Sequence, residues 1–164
     1  MVIVDARNRE IGRASRARMR AEKLIHRASY VLVFNGRGEI FVQQRTLCKD
    51  LYPGFFDVAA GGVVQAGESY EESARRELLE ELGITGELCR RFDHFHDGAD
   101  NRVWGRVFTC RHEGPMRLQP EEVAAGFFLP LEEVLRMSER QHFTPDGIEI
   151  LRRCLPLLDP LEPL

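Results

Sequence analysis

Three glutamates at helical spacing are the residues in this sequence best suited to chemistry. Glu77, Glu80 and Glu81 stand within the segment GVVQAGESYEESARRELLEELGI. On a helix that advances about 100° per residue, positions i, i+3 and i+4 share one face, so the three carboxylates crowd together. Like charges at these spacings oppose helix formation, and a divalent cation is a natural partner because it prefers oxygen ligands. The spacing therefore indicates a metal site.

An ordinary solvated helix face is the alternative interpretation of the same glutamates. Arg75 and Arg76 lie in the same run, and a pair such as Arg76 with Glu80 can form a salt bridge between positions i and i+4. Taken alone, the three glutamates favour this plainer interpretation.

The helix that carries the glutamates has both of its ends marked. Ser69 with Glu72 three residues later forms a capping box, and Gly83 follows a run of good helix formers, which predicts a helix over residues 70–82. An apolar stripe recurs every four residues on a neighbouring face and can pack against a sheet; it comprises Ala74, Leu78 and Leu82.

The remaining elements predict a mixed sheet covered by helices. A hairpin that turns near Asn8 opens the chain, and an Asn-Gly-Arg-Gly turn joins the next two strands. The segment LCKDLYPGFFD predicts a loop that enters a short strand in VAAGGVV. Strands are predicted over 29–34, 39–45, 102–110 and 124–130, and helices over 15–24, from residue 131 and over 145–157.

Length and composition predict one domain over residues 1–164, with a core from about 26 to 158 and an N-terminal extension over about 1–25. With 43% hydrophobic residues the chain can build a core, and a net charge of −3 gives no field that would draw it to nucleic acid or to a membrane. Its four cysteines include no Cys-x-x-Cys pair, which argues against a zinc cage. No signal peptide or long apolar run is present, so we expect a cytoplasmic protein.

Nine residues of the glutamate segment follow the pattern G-x5-E-x7-R-E-U-x-E-E-x-G-U, where U is a bulky aliphatic residue. They are Gly62, Glu68, Arg76, Glu77, Leu78, Glu80, Glu81, Gly83 and Ile84. This resembles the signature of the Nudix hydrolase family, with every specified position filled. The resemblance implies a Nudix fold, which is an α/β/α sandwich with a mixed β-sheet of the α/β (α+β) class, here with an N-terminal hairpin and helix added.

The resemblance also implies roles for the residues of the segment. Glu77, Glu80 and Glu81 correspond to catalytic metal ligands for Mg2+ or Mn2+, with Glu77 as one candidate to activate the attacking water. The Gly62 carbonyl corresponds to a further metal ligand. Glu68 and Arg76 correspond to a pair that orients the metal-binding helix.

Basic residues upstream of the segment correspond to phosphate-contacting positions in related proteins. Arg45 and Lys49 are therefore substrate-binding candidates, with ordinary surface charge as the alternative for each. Glu121 and Glu122 could supply an extra carboxylate, although a solvated acidic turn is the favoured interpretation.

The order of elements is also similar to that of isopentenyl-diphosphate isomerase, loosely, over residues 5 to 143. That enzyme has Cys-Gly-His where this chain has Ala60-Gly61-Gly62, so both its catalytic cysteine and a metal histidine are missing. Met19 stands where another metal histidine is expected. His26 matches one remaining histidine, and we expect it to pack beside the sheet rather than bind metal.

The resulting hypothesis is a hydrolase that cleaves a diphosphate linkage in a nucleoside diphosphate joined to another group, X. Its partner is thus a small-molecule nucleoside diphosphate derivative, with no nucleic acid and no membrane involved. A non-catalytic nucleotide sensor and an isopentenyl-diphosphate isomerase are the alternatives. The sequence leaves open the identity of X and the oligomeric state, a homodimer included.

Overall fold

The computed structural model of the chain describes residues 1–158. The domain predicted over 1–164 therefore includes a segment, 159–164, that lies outside the described residues. The strands are β1 (Val2–Val4), β2 (Glu10–Arg13), β3 (His26–Phe34), β4 (Ile40–Arg45), β5 (Phe56–Asp57), β6 (Ala60–Val63), β7 (Cys89–Asp97), β8 (Arg102–Arg111) and β9 (Val123–Leu129). The helices are α1 (Arg16–Ala21), α2 (Tyr70–Leu82), α3 (Leu131–Ser138) and α4 (Pro145–Cys154).

The strands form one mixed sheet with β3 near its centre. β3 runs antiparallel to β6 and parallel to β8, and β8 pairs with β7. β4 pairs instead with β5 and β9, and it meets β3 only at Phe34 and Ile40. The β3–β4 hairpin therefore opens away from its turn, and the two halves of the sheet diverge.

Helices cover both faces of the sheet, as the mixed-sheet prediction requires. On one face α2 buries its apolar stripe, with Ala74, Leu78 and Leu82 each 1% exposed or less. On the other face, Val134 of α3 and Ile150 of α4 pack in a second core. Two separate cores with the sheet between them form the predicted α/β/α sandwich.

Helix α2 begins and ends where the sequence predicts. The Ser69 side chain accepts a hydrogen bond from the Glu72 backbone N–H at 3.2 Å, and the Glu72 carboxylate accepts one from the Ser69 N–H at 2.8 Å. Gly83 closes the helix in the left-handed conformation with φ 65°. The hydroxyls of Ser29 on β3 and Ser73 on α2 are hydrogen bonded at 3.0 Å inside the fold, which ties the helix to the sheet.

The N-terminal prediction holds for the hairpin but overestimates the helix. β1 and β2 pair on either side of a turn in which Asn8 has φ 60°. The helix predicted over 15–24 is α1, which Ser15 caps and which ends at Ala21. Lys23, with φ 49°, adopts a left-handed conformation that a helix cannot continue through.

Strand β7 is absent from the sequence prediction. Its segment, CRRFDHFHD, is largely charged and only His94 is buried, so it lacks the pattern of a half-buried strand. It forms a strand because it pairs along its length with β8, which the sequence does not reveal.

The last helix is also shorter than predicted. α4 ends at Cys154, and residues 155–157 form a 3-10 turn. Pro156 lacks the N–H that an α-helix would need at this point. Among the described residues, no helix is long and apolar enough to cross a lipid bilayer.

Candidate active site

A cavity of about 250 Å³ lies where the acidic face of α2 meets the opened sheet. Its lining includes Tyr30 from β3, Arg45 from β4, Asp57 from β5 and Gly62 from β6. All three glutamates of the signature line it, together with Arg76, Lys49 and Glu122. The structure thus brings every sequence-predicted site residue except Glu68 to the cavity wall, and Glu68 reaches it through Arg76.

Glu81 is the most buried of the three glutamates. Only 4% of the residue is exposed, and burial raises the pKa of its carboxyl to about 7 although Lys49 opposes this shift. The Gly61 backbone N–H donates to Glu81 Oε2 at 3.2 Å, and Lys49 Nζ lies 3.7 Å from Oε1. These contacts hold the carboxylate in the cavity wall.

Glu77 lies one turn earlier, against the backbone of Gly62. A Cβ at position 62 would overlap the Glu77 carboxylate, so only glycine leaves the carboxylate its place. Burial raises the pKa of Glu77, and the neighbouring Glu80 adds to the increase. Glu80 itself is exposed at the cavity rim.

Arg76 lies at the cavity wall and joins the acidic residues to one another. It donates two hydrogen bonds to the Glu68 carboxylate, at 2.8 and 3.0 Å, which is the pair implied by the family resemblance. It also donates to Glu77 at 2.6 Å and to Glu80 at 3.1 Å. The salt bridge between Arg76 and Glu80 that a plain solvated face predicts is therefore present in the same network. The hydrogen bonds to Glu68 raise the pKa of the Arg76 guanidinium above its usual value.

Lys49 and Glu122 both lie at the cavity wall. Lys49 Nζ forms a hydrogen-bonded ion pair with Glu122, whereas Glu121 is exposed. Glu121 is thus solvated as expected, whereas Glu122, in the same turn, keeps 36% of its side chain exposed and also lines the cavity. The approach of β4 to β9 brings Glu122 to the site, and that pairing joins positions about 80 residues apart in the chain.

Arg45 also lines the cavity, with part of its hydrogen-bonding capacity used by a loop. Its Nε and Nη2 donate to the Leu51 carbonyl, at 3.2 and 3.0 Å, and its Nη1 lies 3.7 Å from Asp57 Oδ2. The guanidinium is thereby held in a fixed position at the wall.

The residues present fit a divalent cation. The charge of Glu77 raises the pKa of Glu81, the charge of Glu80 raises that of Glu77, and burial raises both. Carboxylate and carbonyl oxygens are the ligands that Mg2+ prefers, and four residues that carry such oxygens line the cavity: Glu77, Glu80, Glu81 and Gly62.

A set of polar residues that the sequence analysis missed lines the rest of the cavity. We call it the inner recess; it comprises Tyr30, Asp57, Thr144 and Asp146. The Tyr30 hydroxyl donates to Asp146 Oδ2 at 2.8 Å, and burial raises the pKa of Asp57 to about 6. In the sequence, Thr144 followed by Pro145 is typical of a helix start only, and Thr144 stands at the N-cap of α4.

A second group with metal-type side chains lies outside the cavity. Ligand atoms of His94, His96 and Glu149 lie within 4.8 Å of one another. However, Arg153 Nη1 lies 2.9 Å from His94 Nδ1, and a guanidinium can only donate. The proton of neutral His94 is then on Nε2, the nitrogen that faces Glu149, so this tautomer does not offer that nitrogen to a metal.

The mixed sheet between helical layers defines an α+β protein. Buried carboxylates line a cavity beside the central strand, which makes the site acidic, as in many enzymes. Residues 24–154 match the NUDIX domain, and the chain belongs to the Nudix family. It is a Nudix hydrolase, an enzyme of the class that hydrolyses phosphorus-containing acid anhydrides, and such enzymes generally use divalent metals such as Mg2+.

Relatives of similar length support this assignment. The chain is 47% identical over 150 residues to an uncharacterised Nudix hydrolase of Yersinia pestis, which covers 91% of this chain and 81% of the relative. It is also 47% identical over 150 residues to YfcD of Escherichia coli strain K12, an uncharacterised Nudix hydrolase, covering 91% and 82%.

Solved structures show the same fold. The crystal structure of DR0079 from Deinococcus radiodurans matches with a TM-score of 0.82 and 27% identity, over 93% of this chain and 97% of that one. The NUDIX domain of NrtR from Shewanella oneidensis, solved with ADP ribose, matches with a TM-score of 0.68 and 15% identity, over 88% and 99%.

Proposed function

We propose that this protein is a metal-dependent hydrolase that cleaves the diphosphate linkage of a nucleoside diphosphate joined to another group, X. The observation that carries the proposal is the placement of Glu77 and Glu81 in one cavity with the Gly62 backbone and Lys49. Buried carboxylates that repel each other and face a cation-lined space suit an anionic substrate bound together with a metal ion.

The carboxylates of Glu77, Glu80 and Glu81 and the carbonyl of Gly62 would hold the metal ion, Mg2+ or Mn2+. When bound, such an ion neutralises charge on the diphosphate and lowers the cost of charge that develops during cleavage. The Glu68–Arg76 pair would keep α2 in register with β6, because Arg76 connects Glu68 directly to Glu77.

The hydrolysis itself needs a proton acceptor. A water oxygen forms a bond to one phosphorus, the bond from that phosphorus to the bridging oxygen breaks, and the products are a nucleotide and phosphorylated X. Glu77 is our candidate to accept the water proton, since burial raises its pKa and its carboxylate borders the cavity. Lys49 and Arg45 would contact phosphate oxygens, because both cationic groups line the same cavity.

The test is a panel of nucleoside di- and triphosphates, nucleotide sugars, dinucleotides and dinucleoside polyphosphates, incubated with Mg2+ or Mn2+ while nucleotide and phosphate release is measured. Glu81→Gln should remove most turnover and leave the fold intact. Glu87→Gln is the matched control, because it makes the same substitution at an exposed position outside the cavity. Full activity of Glu81→Gln with metal present would contradict the proposal.

Two further outcomes would assign a different function. Tight nucleotide binding without cleavage would indicate a non-catalytic nucleotide sensor. Conversion of isopentenyl diphosphate would indicate an isomerase, despite the alanine at position 60.

A further inference from the structure

Gln43 of β4 is a buried polar residue behind the cavity. Successive side chains of a strand face opposite sides of the sheet, so Gln43 shares a side with Phe41 and not with Val42. Phe41 packs in the core that contains α2, whereas Val42 packs in the core on the other face. Gln43 is only 3% exposed. An amide therefore stands on the α2 side of the sheet, at a position where the strand pattern favours an apolar residue.

The Gln43 amide connects β4 to one of the proposed metal ligands. Its Nε2 donates to the Ala59 carbonyl at 3.1 Å and to Glu81 Oε2 at 3.5 Å. The bond to Ala59 determines which end of the amide is the nitrogen, because a carbonyl oxygen can only accept. The Glu81 carboxylate therefore meets a donor, which is the partner that a carboxylate oxygen needs.

Both halves of the opened sheet donate to the same oxygen of Glu81. The Gly61 N–H of β6 lies 3.2 Å from Oε2, and the Gln43 amide of β4 lies 3.5 Å from it. A carboxylate oxygen has two lone pairs, so these two donors engage both of those on Oε2. Lys49 Nζ lies 3.7 Å from Oε1, which is beyond hydrogen-bonding distance. Oε1 is therefore the oxygen of Glu81 that can serve an ion in the cavity.

Stability alone does not account for an amide at this position. The Oε1 of Gln43 is buried and has no hydrogen-bond partner within residues 1–158. A buried acceptor without a partner destabilises a fold, whereas an apolar side chain of similar volume has no such atom. Gln43 itself does not line the cavity, although Ala59, Gly61 and Glu81 in front of it do. Any effect of the amide on a bound molecule therefore passes through Glu81.

Resting on the proposed function, we infer that Gln43 is a positioning residue for the metal ligand Glu81. Its amide and the Gly61 N–H hold Oε2 against the sheet and leave Oε1 to the cavity. The terminal torsion of a glutamate side chain is soft, so loss of the amide lets the carboxylate rotate. The affinity for a divalent ion then falls although every ligand is still present, and supporting bonds of this kind contribute about 10- to 100-fold.

The experiment titrates the protein with Mn2+ and measures binding by electron paramagnetic resonance, which needs no turnover. Gln43→Met keeps the volume of the side chain and removes its donor, so we expect the Kd for Mn2+ to rise by about tenfold. Gln44→Met is the matched control, since the neighbouring Gln44 donates to the Gly54 carbonyl instead. It should change the Kd by less than about twofold. An unchanged Kd in Gln43→Met would overturn the inference and leave the proposed hydrolase intact.

A double-mutant cycle assigns the effect to Glu81. In a Glu81→Gln background, Gln43→Met should change the Kd for Mn2+ by less than about twofold, because the carboxylate that the amide positions is already gone. An equal loss of affinity in both backgrounds would show a merely structural role and overturn the inference. Thermal unfolding checks the fold, and we expect the Tm of Gln43→Met to lie within about 4 °C of the wild type, because the substitution also removes the unpaired Oε1.

The wild-type protein gives the answer if Gln43→Met does not fold. Addition of Mg2+ should shift the nuclear magnetic resonance signals of the Gln43 side-chain amide, because an ion at Glu81 withdraws charge from the carboxylate to which the amide donates. The same addition to Glu81→Gln should leave these signals in place. Signals that stay unchanged in the wild type while the ion binds would overturn the inference. Failure of the wild type to bind either ion, or binding without any turnover, would instead contradict the proposed function.

Discussion

The Glu77 carboxylate occupies the space beside Gly62 in which any other residue would carry its Cβ. Gly62 belongs to β6, which pairs with β3, and Glu77 belongs to α2, which packs on the same strands. The absence of a side chain at Gly62 therefore leaves room for the Glu77 carboxylate where these two proposed metal ligands meet. A larger residue at position 62 must displace the Glu77 carboxylate.

Gly62→Ala should accordingly impair catalysis more than folding. The added methyl displaces the Glu77 carboxylate, and we expect kcat/KM to fall by about a hundredfold, as is common when a catalytic group is misplaced by about 1 Å. Steady-state kinetics with the best substrate of the panel measures this. Gly12→Ala is the control, because a Cβ there meets nothing within 4 Å. Unchanged activity in Gly62→Ala would argue against a role for Glu77.

Arg76 should influence metal affinity through Glu77. Arg76→Ala removes the bonds that join Glu68 to Glu77 and Glu80, and loss of such supporting bonds reduces metal affinity by about 10- to 100-fold. The measurement is the Mg2+ concentration that gives half-maximal activity. Arg75→Ala provides the control, since Arg75 is an exposed neighbour outside the cavity lining. Identical Mg2+ requirements in both variants would contradict this role.

Local sequence signals were enough to predict the acidic half of the site. The glutamates share one helix, and the capping box and Gly83 define that helix without reference to the rest of the chain. The predicted bounds of α2, residues 70–82, are confirmed. The helix face that carries Glu77 and Glu81 follows from helical periodicity.

The inner recess could not be predicted in this way. Its members come from β3, β5 and α4, so only strand pairing and helix packing bring Tyr30, Asp57 and Asp146 together. None of these three residues stands in a local sequence pattern that indicates a functional site. Arg20 gave no signal for the same reason, because its place at the cavity wall depends on where α1 packs rather than on its neighbours in sequence.

The capping box makes a prediction about stability. Ser69→Ala leaves the Glu72 N–H at the start of α2 without its side-chain partner, and we expect the free energy of unfolding to fall by about 1 kcal/mol. Urea unfolding measures the change. Thr85→Ala, at an exposed position just beyond the helix, should change stability by less than half of that. A loss no larger in Ser69→Ala than in Thr85→Ala would show that the cap contributes little.

His26 makes a prediction about pH. It is only 3% exposed and its Nδ1 lies 3.0 Å from the Leu24 carbonyl, which confirms that it packs inside the fold. Burial lowers its pKa from 6.5 to about 4, so the unfolded chain takes up a proton at a higher pH than the folded protein does. The resulting stability is present above pH 6.5 and is lost as the pH falls toward 4.

Replacing His26 should therefore flatten the pH dependence of stability. In His26→Gln, the decrease in unfolding free energy between pH 7 and pH 4.5 should be smaller than in the wild type by about 2 kcal/mol. Urea unfolding at several pH values measures this decrease. Comparing how the unfolding free energy changes with pH within each variant removes the part of the destabilisation that does not depend on pH. His142→Gln, which removes an exposed histidine, should keep the wild-type slope. If His26→Gln kept that slope too, the buried histidine would not be the group that titrates.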